Sequence, residues 1–402
     1  MSVKQQTITG IAWSTIARVA QQGLQFLISV ALARLLTPQD FGLVAMTAVF
    51  TGFAALFNEL GFGAALIQHE RIEERHLSSV FWLNVLAGFI LMVLTIGAAP
   101  LIALLYDEPR LSLLTMLIAT NFLFGSFGIV PNALMMRALN FRGLALIEAA
   151  ATLLAGAVAI VLALMGYGVF ALVWQMIIST IGRVVFLWYS SAWRPAFRFS
   201  WSAVRELLGF STNLLGFSTF NYWVRKADDL LIGKFVGSAG LGVYTRAYSI
   251  MLLPLNQVSS VVSRVMFPTL SQIKDDRRRV KRIYLRSISI VALITFPMML
   301  GLLVVSESFV LALYGLQWKE IIPLLRMLSL VGLAQSIGTT TGWIYQSQGR
   351  TDWMFRWGVA SGIVTLISFA IGIRWGVLGV AIAYVVRTFA LTYFNFSIPG
   401  RL

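Results

Sequence analysis

The sequence predicts an all-α integral membrane protein with about twelve transmembrane helices, arranged as two parallel six-helix lobes around a central cavity. Of the 402 residues, 58% are hydrophobic and only 12% are charged, whereas a soluble domain carries roughly 25% charged residues. The mean hydropathy is +0.82. The apolar runs are long and continuous, unlike the alternating segments of about 10 residues that form membrane-spanning strands. The composition therefore favours helices that cross a bilayer.

Twelve stretches of the chain are suitable for spanning a membrane, which takes roughly 20 mainly apolar residues. We place these spans at residues 9–36, 40–68, 79–106, 111–138, 142–165, 167–190, 205–235, 238–268, 283–314, 320–347, 352–374 and 376–396. Gly61 and Gly63 are expected to break the second span, because sharp helix kinks often occur at glycine. The remaining connections are short, so no soluble domain is expected.

Positive charge is distributed unevenly between the connections of the predicted spans. Odd-numbered connections, with the span ends beside them, carry five lysines and arginines, whereas even-numbered connections, with the span ends beside them and the termini, carry sixteen. Lysine and arginine are enriched in cytoplasmic loops, so both termini are expected in the cytoplasm, which requires an even number of spans. The net charge of +15 then reflects membrane topology and contact with anionic membrane lipids. No nucleic-acid partner is expected.

An internal repeat divides the predicted bundle into halves. Residues 34–43 (RLLTPQDFGL) align with residues 234–243 (KFVGSAGLGV) at an offset of 200, and a shorter alignment at an offset of 208 relates the fifth connection to the eleventh. Because six spans is an even number, the halves are parallel repeats, and transporters of this kind bind substrate between the halves. The predicted units are an N-terminal lobe at 1–190, a basic and aromatic cytoplasmic linker at 191–204 and a C-terminal lobe at 205–402.

The seventh span carries a polar stripe whose members recur every three or four residues on one helix face: Ser218, Asn221, Arg225 and Asp229. Lys226 and Asp228 flank this stripe. Charge inside a span is costly and usually marks a pathway or a buried pair. The stripe is therefore either the wall of a substrate cavity or a self-paired cluster, with Arg225 paired to Asp229 and Lys226 to Asp228.

Polar faces are also predicted on the first and eighth spans, and intramembrane cations outnumber carboxylates. Arginine binds two phosphate oxygens at once through its planar fork, so these faces favour an anionic substrate with a pyrophosphate headgroup. The predicted substrate-binding residues are Arg18, Gln22, Gln25, Asn221, Arg225, Lys226 and Arg264. Three further arginines are either functional or extend toward a membrane surface, namely Arg183, Arg326 and Arg387.

Four carboxylates of the predicted spans are candidates for ion coupling. A carboxylate inside a membrane either relays protons or sodium ions or serves as the counter-ion of an arginine. Both interpretations remain open for Glu59, Glu148, Asp228 and Asp229.

Signals of catalysis and of metal binding are weak. His69 and His76 are the only histidines, their spacing is not that of a zinc-binding H-E-x-x-H helix, and the chain has no cysteine. There is no G-x-x-x-x-G-K-[ST] loop for a nucleotide. The sequence therefore predicts that the protein is not an enzyme and uses neither a cofactor nor a metal.

Several stretches resemble the polysaccharide-exporting flippases of the Wzx type. They are residues 32–43, residues 58–68, the motif YWVRKADDLLIG at 222–233, the stretch GLGVYTRAY at 240–248 and the pair Phe267-Pro268. The chain is similar along its whole length to this family, nearest its colanic acid exporter branch, within the multidrug/oligosaccharidyl-lipid/polysaccharide superfamily.

The resemblance implies a bacterial inner-membrane protein that flips an undecaprenyl-pyrophosphate-linked oligosaccharide to the periplasmic leaflet, alongside a polysaccharide polymerase and chain-length machinery. It implies that Arg18, Arg225 and Arg264 face a central cavity and that Asp228 matches an acidic position of the family motif. Asp229 stands where the branch more often has a neutral polar residue. Members usually carry one further helix pair, so a short or truncated member is expected. The alternative is a cation-coupled multidrug or metabolite antiporter of the same superfamily.

Overall fold

The computed structural model describes residues 3–58, 62–68, 72–208 and 212–397, and within these ranges it contains helices and no strands. In the first part of the chain the helices are α1 (Val3–Leu35), α2 (Pro38–Asn58), α3 (Phe62–Gln68), α4 (Glu74–Tyr106), α5 (Arg110–Ser126), α6 (Ile129–Arg137), α7 (Phe141–Leu164), α8 (Val169–Ser190) and α9 (Trp201–Leu208). They are followed by α10 (Thr212–Phe235), α11 (Ser238–Gln272), α12 (Arg277–Leu313), α13 (Ile321–Gly338), α14 (Thr341–Ser347), α15 (Thr351–Gly372) and α16 (Gly376–Ser397).

Local sequence signals define several helix starts. Thr37 and Asp40 form a reciprocal pair at the start of α2, where the Asp40 carboxylate accepts from the Thr37 N–H (2.9 Å) and the Thr37 hydroxyl accepts from the Asp40 N–H (3.3 Å). Such side-chain acceptors satisfy N–H groups that have no partner within the helix. Asn140 and Asp276 cap α7 and α12 by accepting from the Gly143 N–H (2.9 Å) and the Arg279 N–H (3.0 Å).

The described helices confirm a multi-pass membrane protein. Seven helical segments are long and apolar enough to cross a membrane, or eight if α5 and α6, which are bent by 44°, form one span. Helices α1, α10 and α11 contain 33, 24 and 35 residues but are not among the seven, and they are the helices with predicted polar faces. The count of about twelve spans is compatible with this structure without being fixed by it.

The internal repeat is visible in the helix boundaries. Helices α1 and α10 end at Leu35 and Phe235, and α2 and α11 begin at Pro38 and Ser238, which reproduces the offset of 200 residues. The ends of α7 and α15, at Leu164 and Gly372, reproduce the offset of 208. Within the second predicted span the structure describes α2 and α3. Gly61 lies outside the described residues, so the break expected there stays a prediction.

The described chain forms two compact units, Met1–Tyr222 and Trp223–Leu402. The boundary lies inside α10 and therefore differs from the predicted linker at 191–204. Tyr222 belongs to the first unit because its hydroxyl donates to the carbonyl oxygens of Ala48 (3.2 Å) and Val49 (2.7 Å) on α2. The six-helix lobes remain a prediction.

The segment between α8 and α9 is bound to α4 although it has no regular secondary structure. The Ser78 and Ser79 hydroxyls accept from the backbone N–H groups of Ala196 (3.1 Å) and Ser200 (2.8 Å), and the Trp82 indole donates to the Ala196 carbonyl (3.0 Å). These bonds satisfy backbone groups that a helix or strand would otherwise pair. The predicted linker is thus an ordered part of the first unit.

Candidate functional site

Some predicted site residues cannot be placed. Glu59 lies outside the described residues, and so do the side chains of Arg18 and Arg264, although α1 and α11 are described as helices. On α1, Gln22 is half-buried and Gln25 is exposed. A cavity shared by the predicted faces of α1, α10 and α11 therefore remains a prediction.

The polar stripe of α10 is divided between two environments. Asn221 and Arg225 are exposed, whereas Asp228 and Asp229 are buried, with 7% and 8% of their surface exposed. A stripe with steps of four residues drifts around a helix of 3.6 residues per turn, so its ends face different surroundings. The stripe is not one continuous wall.

The charge pairs of α10 differ from the predicted ones. Lys226 pairs with Asp229, with 2.7 Å between Nζ and Oδ2. Asp228 accepts from the Tyr244 hydroxyl on α11 (2.8 Å) and from the Asp229 N–H (2.9 Å). Arg225 forms no ion pair with any described residue. The predicted pairs Arg225–Asp229 and Lys226–Asp228 are therefore wrong, because a longer-range partner from α11 takes Asp228 and leaves Asp229 to Lys226.

Buried tyrosines extend this cluster within the second unit. The Tyr244 and Tyr248 rings stack with their centroids 6.2 Å apart, and the Tyr248 and Tyr384 rings with theirs 6.4 Å apart. The sequence interpretation missed these tyrosines. The available signal was the four-residue spacing of Tyr244 and Tyr248, which places them on one face of α11.

A polar cavity of about 600 Å³ lies in the first unit. Glu148 and Arg183 line it and form an ion pair with 2.7 Å between Oε1 and Nε, and Arg183 also donates to Asn132 (3.3 Å). The carboxamide oxygens of Asn58 and Asn121, also in the lining, are buried without a hydrogen-bond partner among the described residues. Glu148 therefore neutralises Arg183, and its role in ion coupling remains a prediction.

A smaller cavity of about 210 Å³ lies in the second unit. Residues of α13, α15 and α16 line it, and Arg387 is the charged member of this described lining. Its Nη2 donates to the Ser361 carbonyl (3.2 Å). By contrast, Arg326 on α13 is paired with Glu307 (3.2 Å) and donates to the Ser306 hydroxyl (3.0 Å). Of the three further arginines, Arg387 is thus the one without a carboxylate partner in the described chain.

No described group of three or more histidine, aspartate and glutamate side chains is arranged to hold a metal ion. Charged and polar side chains inside membrane-length helices, with Arg183 and Arg387 each lining a cavity, are typical of a protein that moves a polar solute through a membrane.

Helices long enough to span a bilayer, together with polar cavities among them, define a multi-pass membrane transport protein. The chain matches the family described as "Polysaccharide biosynthesis protein" over residues 31–323 and belongs to that family. The resemblance to Wzx-type polysaccharide transporters is confirmed.

Curated relatives match nearly the whole chain. It is 29% identical over 372 residues to "Teichuronic acid biosynthesis protein TuaB" of Bacillus subtilis (strain 168), which covers 92% of this chain and 77% of that protein. It is 29% identical over 394 residues to "Lipopolysaccharide biosynthesis protein WzxC" of Escherichia coli (strain K12), covering 96% and 79%. "Succinoglycan biosynthesis transport protein ExoT" of Rhizobium meliloti (strain 1021) is 29% identical over 401 residues, covering 98% and 80%.

Solved transporter structures share the fold. "Lipid II flippase MurJ, inward closed conformation" matches with a TM-score of 0.76 and 17% identity, over 96% of this chain and 87% of that one. An inward-facing multidrug resistance MATE family transporter of the MOP superfamily matches with a TM-score of 0.70 and 18% identity, over 94% and 95%. At this identity the likeness concerns the fold alone.

Proposed function

We propose that this protein flips undecaprenyl-pyrophosphate-linked oligosaccharide repeat units across the bacterial inner membrane by alternating access. Family membership carries the proposal, because relatives named for polysaccharide biosynthesis and transport match at least nine-tenths of the chain. The product would enter exopolysaccharide or lipopolysaccharide biosynthesis, where a polysaccharide polymerase and chain-length machinery act next. Both termini would lie in the cytoplasm, in accordance with loop charge.

Arg225 is the described side chain best suited to hold the pyrophosphate. It lies in a helix of the transporter, it is exposed, and no described carboxylate neutralises it. A guanidinium in this state keeps its donors available for two phosphate oxygens at once. Lys226 is less available because Asp229 already pairs with it. The predicted roles of Arg18, Gln22, Gln25, Asn221 and Arg264 belong to the same proposal.

A complementation experiment tests the role of Arg225. The gene is deleted and restored with the wild type, Arg225→Gln, Arg225→Lys or the control Arg374→Gln, which removes an exposed arginine near the start of α16. We expect Arg225→Gln to lose at least about tenfold in surface polysaccharide, one good charge-assisted contact being worth about 1.4 kcal/mol or more, and Arg225→Lys to lose less. Lipid-linked repeat units should accumulate in the cell, and the control should export normally.

Normal export by Arg225→Gln at wild-type protein abundance would remove Arg225 from the mechanism. Export that survives deletion of the gene would contradict the proposed function itself. Surface glycan and lipid-linked intermediate are both quantified in the same cells. The abundance of each variant is measured as well, so that a failure of membrane insertion is recognised.

A cation-coupled multidrug or metabolite antiporter is the second candidate. The observation that favours it is the buried pair Asp228 and Asp229, since carboxylates inside a membrane can relay cations. Overexpression would then protect cells from cationic dyes, and Asp228→Asn would abolish the protection. Unchanged dye sensitivity would leave the flippase as the better account.

A further inference from the structure

The cavity of the second unit has an unbalanced positive charge. Arg387 is the charged residue of its described lining, and the other polar lining side chains are neutral, among them Gln335, Trp357, Thr388 and Asn395. A cation within helices that cross a membrane is normally paired or meets a water-filled space. Arg387 faces a cavity and donates to the Ser361 carbonyl. The described chain therefore neither neutralises its charge nor provides acceptors for all of its N–H donors.

Three lining side chains also carry polar atoms without a partner. Arg387 Nε, Thr388 Oγ1 and Gln335 Oε1 are shielded from solvent and form no hydrogen bond with any described residue. Buried polar atoms are rarely left unpaired in folded proteins, and each exception calls for an explanation, such as a role in binding a water or an ion. Two of these groups are donors, the guanidinium and the hydroxyl, and the carboxamide oxygen is an acceptor.

The combination of groups indicates the chemistry of the ligand. A guanidinium favours an oxyanion, and an acceptor beside it favours a ligand that also carries an O–H. Inorganic phosphate has both features near neutral pH, because HPO4²⁻ still carries an O–H. A phosphate monoester has both features once it binds one proton, for which its second pKa is about 6, whereas sulfate has no proton to donate. The cavity of about 210 Å³ is suited in size to a phosphate group and not to an oligosaccharide.

We propose that the cavity of α13, α15 and α16 is a binding site for a protonated phosphate group, with Arg387 as its cationic anchor, Thr388 as a second donor and Gln335 as acceptor. The site does not depend on the proposed transport of lipid-linked glycan. The phosphate could be free inorganic phosphate or a lipid headgroup, and the two sources share the same chemistry.

A binding assay on the purified full-length chain tests this site. The protein is held in maltoside detergent in a phosphate-free buffer, and binding of radiolabelled inorganic phosphate is measured by equilibrium dialysis at constant ionic strength. We expect saturable binding that weakens about tenfold or more in Arg387→Gln and less in Arg387→Lys, because lysine keeps the charge without the fork. Arg326→Gln is the matched control, since its guanidinium is already paired with Glu307, and it should bind as the wild type does.

Competition with radiolabelled phosphate identifies the chemistry of the ligand and its source. Sulfate should displace phosphate poorly, and displacement by sulfate as effective as that by unlabelled phosphate would overturn the assignment to a protonated ligand. Phosphatidic acid, a lipid with a phosphate monoester, is titrated into the same micelles. Displacement by this lipid would assign the site to a lipid headgroup, and its failure to compete would assign the site to free phosphate.

Two results would overturn the site. They are the absence of saturable phosphate binding by the wild type and equal binding by Arg387→Gln. Size-exclusion chromatography shows whether each variant is folded, and Thr388→Val with Arg387→Lys carries the test if Arg387→Gln is not. Arg387→Gln should lose phosphate binding whether or not the wild type exports glycan in the complementation experiment, so the failure of one proposal leaves the other standing.

Discussion

Two intramembrane arginines, one in each unit, differ in what lies beside their charge. In the first unit Arg183 lines a cavity of about 600 Å³ and is neutralised by Glu148 at 2.7 Å. In the second unit Arg387 lines a cavity of about 210 Å³ and meets only a backbone carbonyl. From the sequence these arginines look alike, since each lies in an apolar helix. What separates a structural arginine from a ligand-binding one is the carboxylate beside it, which is supplied by another helix.

The carboxylates of the second unit show the same dependence on partners. Asp228 is satisfied by a tyrosine hydroxyl and a backbone N–H, and Asp229 by Lys226. Asp228 has no ion pair among the described residues, and neither has Arg387. The second unit therefore leaves this carboxylate and this guanidinium without an opposite charge of their own, whereas the first unit pairs Glu148 with Arg183.

The largest effect on this comparison is expected from Tyr244→Phe. The change removes the hydroxyl that donates to buried Asp228 and leaves the Asp229 N–H as its donor, and the loss of one hydrogen bond to a buried carboxylate costs about 2 kcal/mol. Thermal unfolding of the purified protein should show a clear loss of stability. Tyr393→Phe is the control because Tyr393 is 74% exposed. If both variants melt like the wild type, the Tyr244 hydroxyl does not stabilise the second unit.

Two arginine variants should differ in their effect on stability. Arg183→Gln leaves Glu148 unpaired and is expected to destabilise by about 1 kcal/mol, because the ion pair is partly exposed. Arg387→Gln removes an unpaired cation and should leave stability unchanged or raise it in phosphate-free detergent, since burial of an unneutralised charge is unfavourable. Unfolding of the two variants is compared in one buffer, and equal losses in both would erase the distinction between the units.

The smallest effect concerns the exposed pair of Glu108 and Arg110. The hydrogen bonds from Arg110, with its Nε 2.8 Å from Oε1, hold the pKa of the Glu108 carboxyl below its ordinary value. A lowered pKa in the folded state contributes stability above the ordinary value of 4.5, and this stability is lost as pH falls through the lowered value. Arg110→Gln should therefore cost less than about 1 kcal/mol at neutral pH. The difference from the wild type should disappear in acid, and a difference that persists there would exclude this pair as its cause.

The helix pattern was predictable because its signals are local. Apolar run length and capping residues such as Thr37 and Asp40 act within a few turns of chain. The repeat presents such local signals a second time 200 residues later, and the helix ends at Leu35 and Phe235 agree with it. Helices α1, α10 and α11 are more polar, so hydropathy alone predicts them less strongly as membrane spans. Their matching positions in the 200-residue repeat support the prediction.

The side-chain partners of the site were not predictable to the same degree. Spacing along α10 favours pairs within one helix, and Lys226 with Asp229 is such a pair, but Tyr244 comes from the next helix and changes the assignment of Asp228. Likewise, the partner of Arg183 lies on α7, and Arg387 has no carboxylate in its described surroundings. Pairing depends on how helices pack together, and no periodicity in a single helix contains that information.

The ordered segment before α9 has a practical consequence for protein engineering. Arginines and aromatic residues between two helices would suggest a flexible linker. Such a linker would be suitable for a reporter insertion or for dividing the gene into separately expressed halves. Its backbone is instead hydrogen-bonded to Ser78, Ser79 and Trp82, and tolerance of insertion follows the freedom of the backbone concerned. A fluorescent tag is better placed at the turn of residues 273–276, where the chain between α11 and α12 is largely exposed.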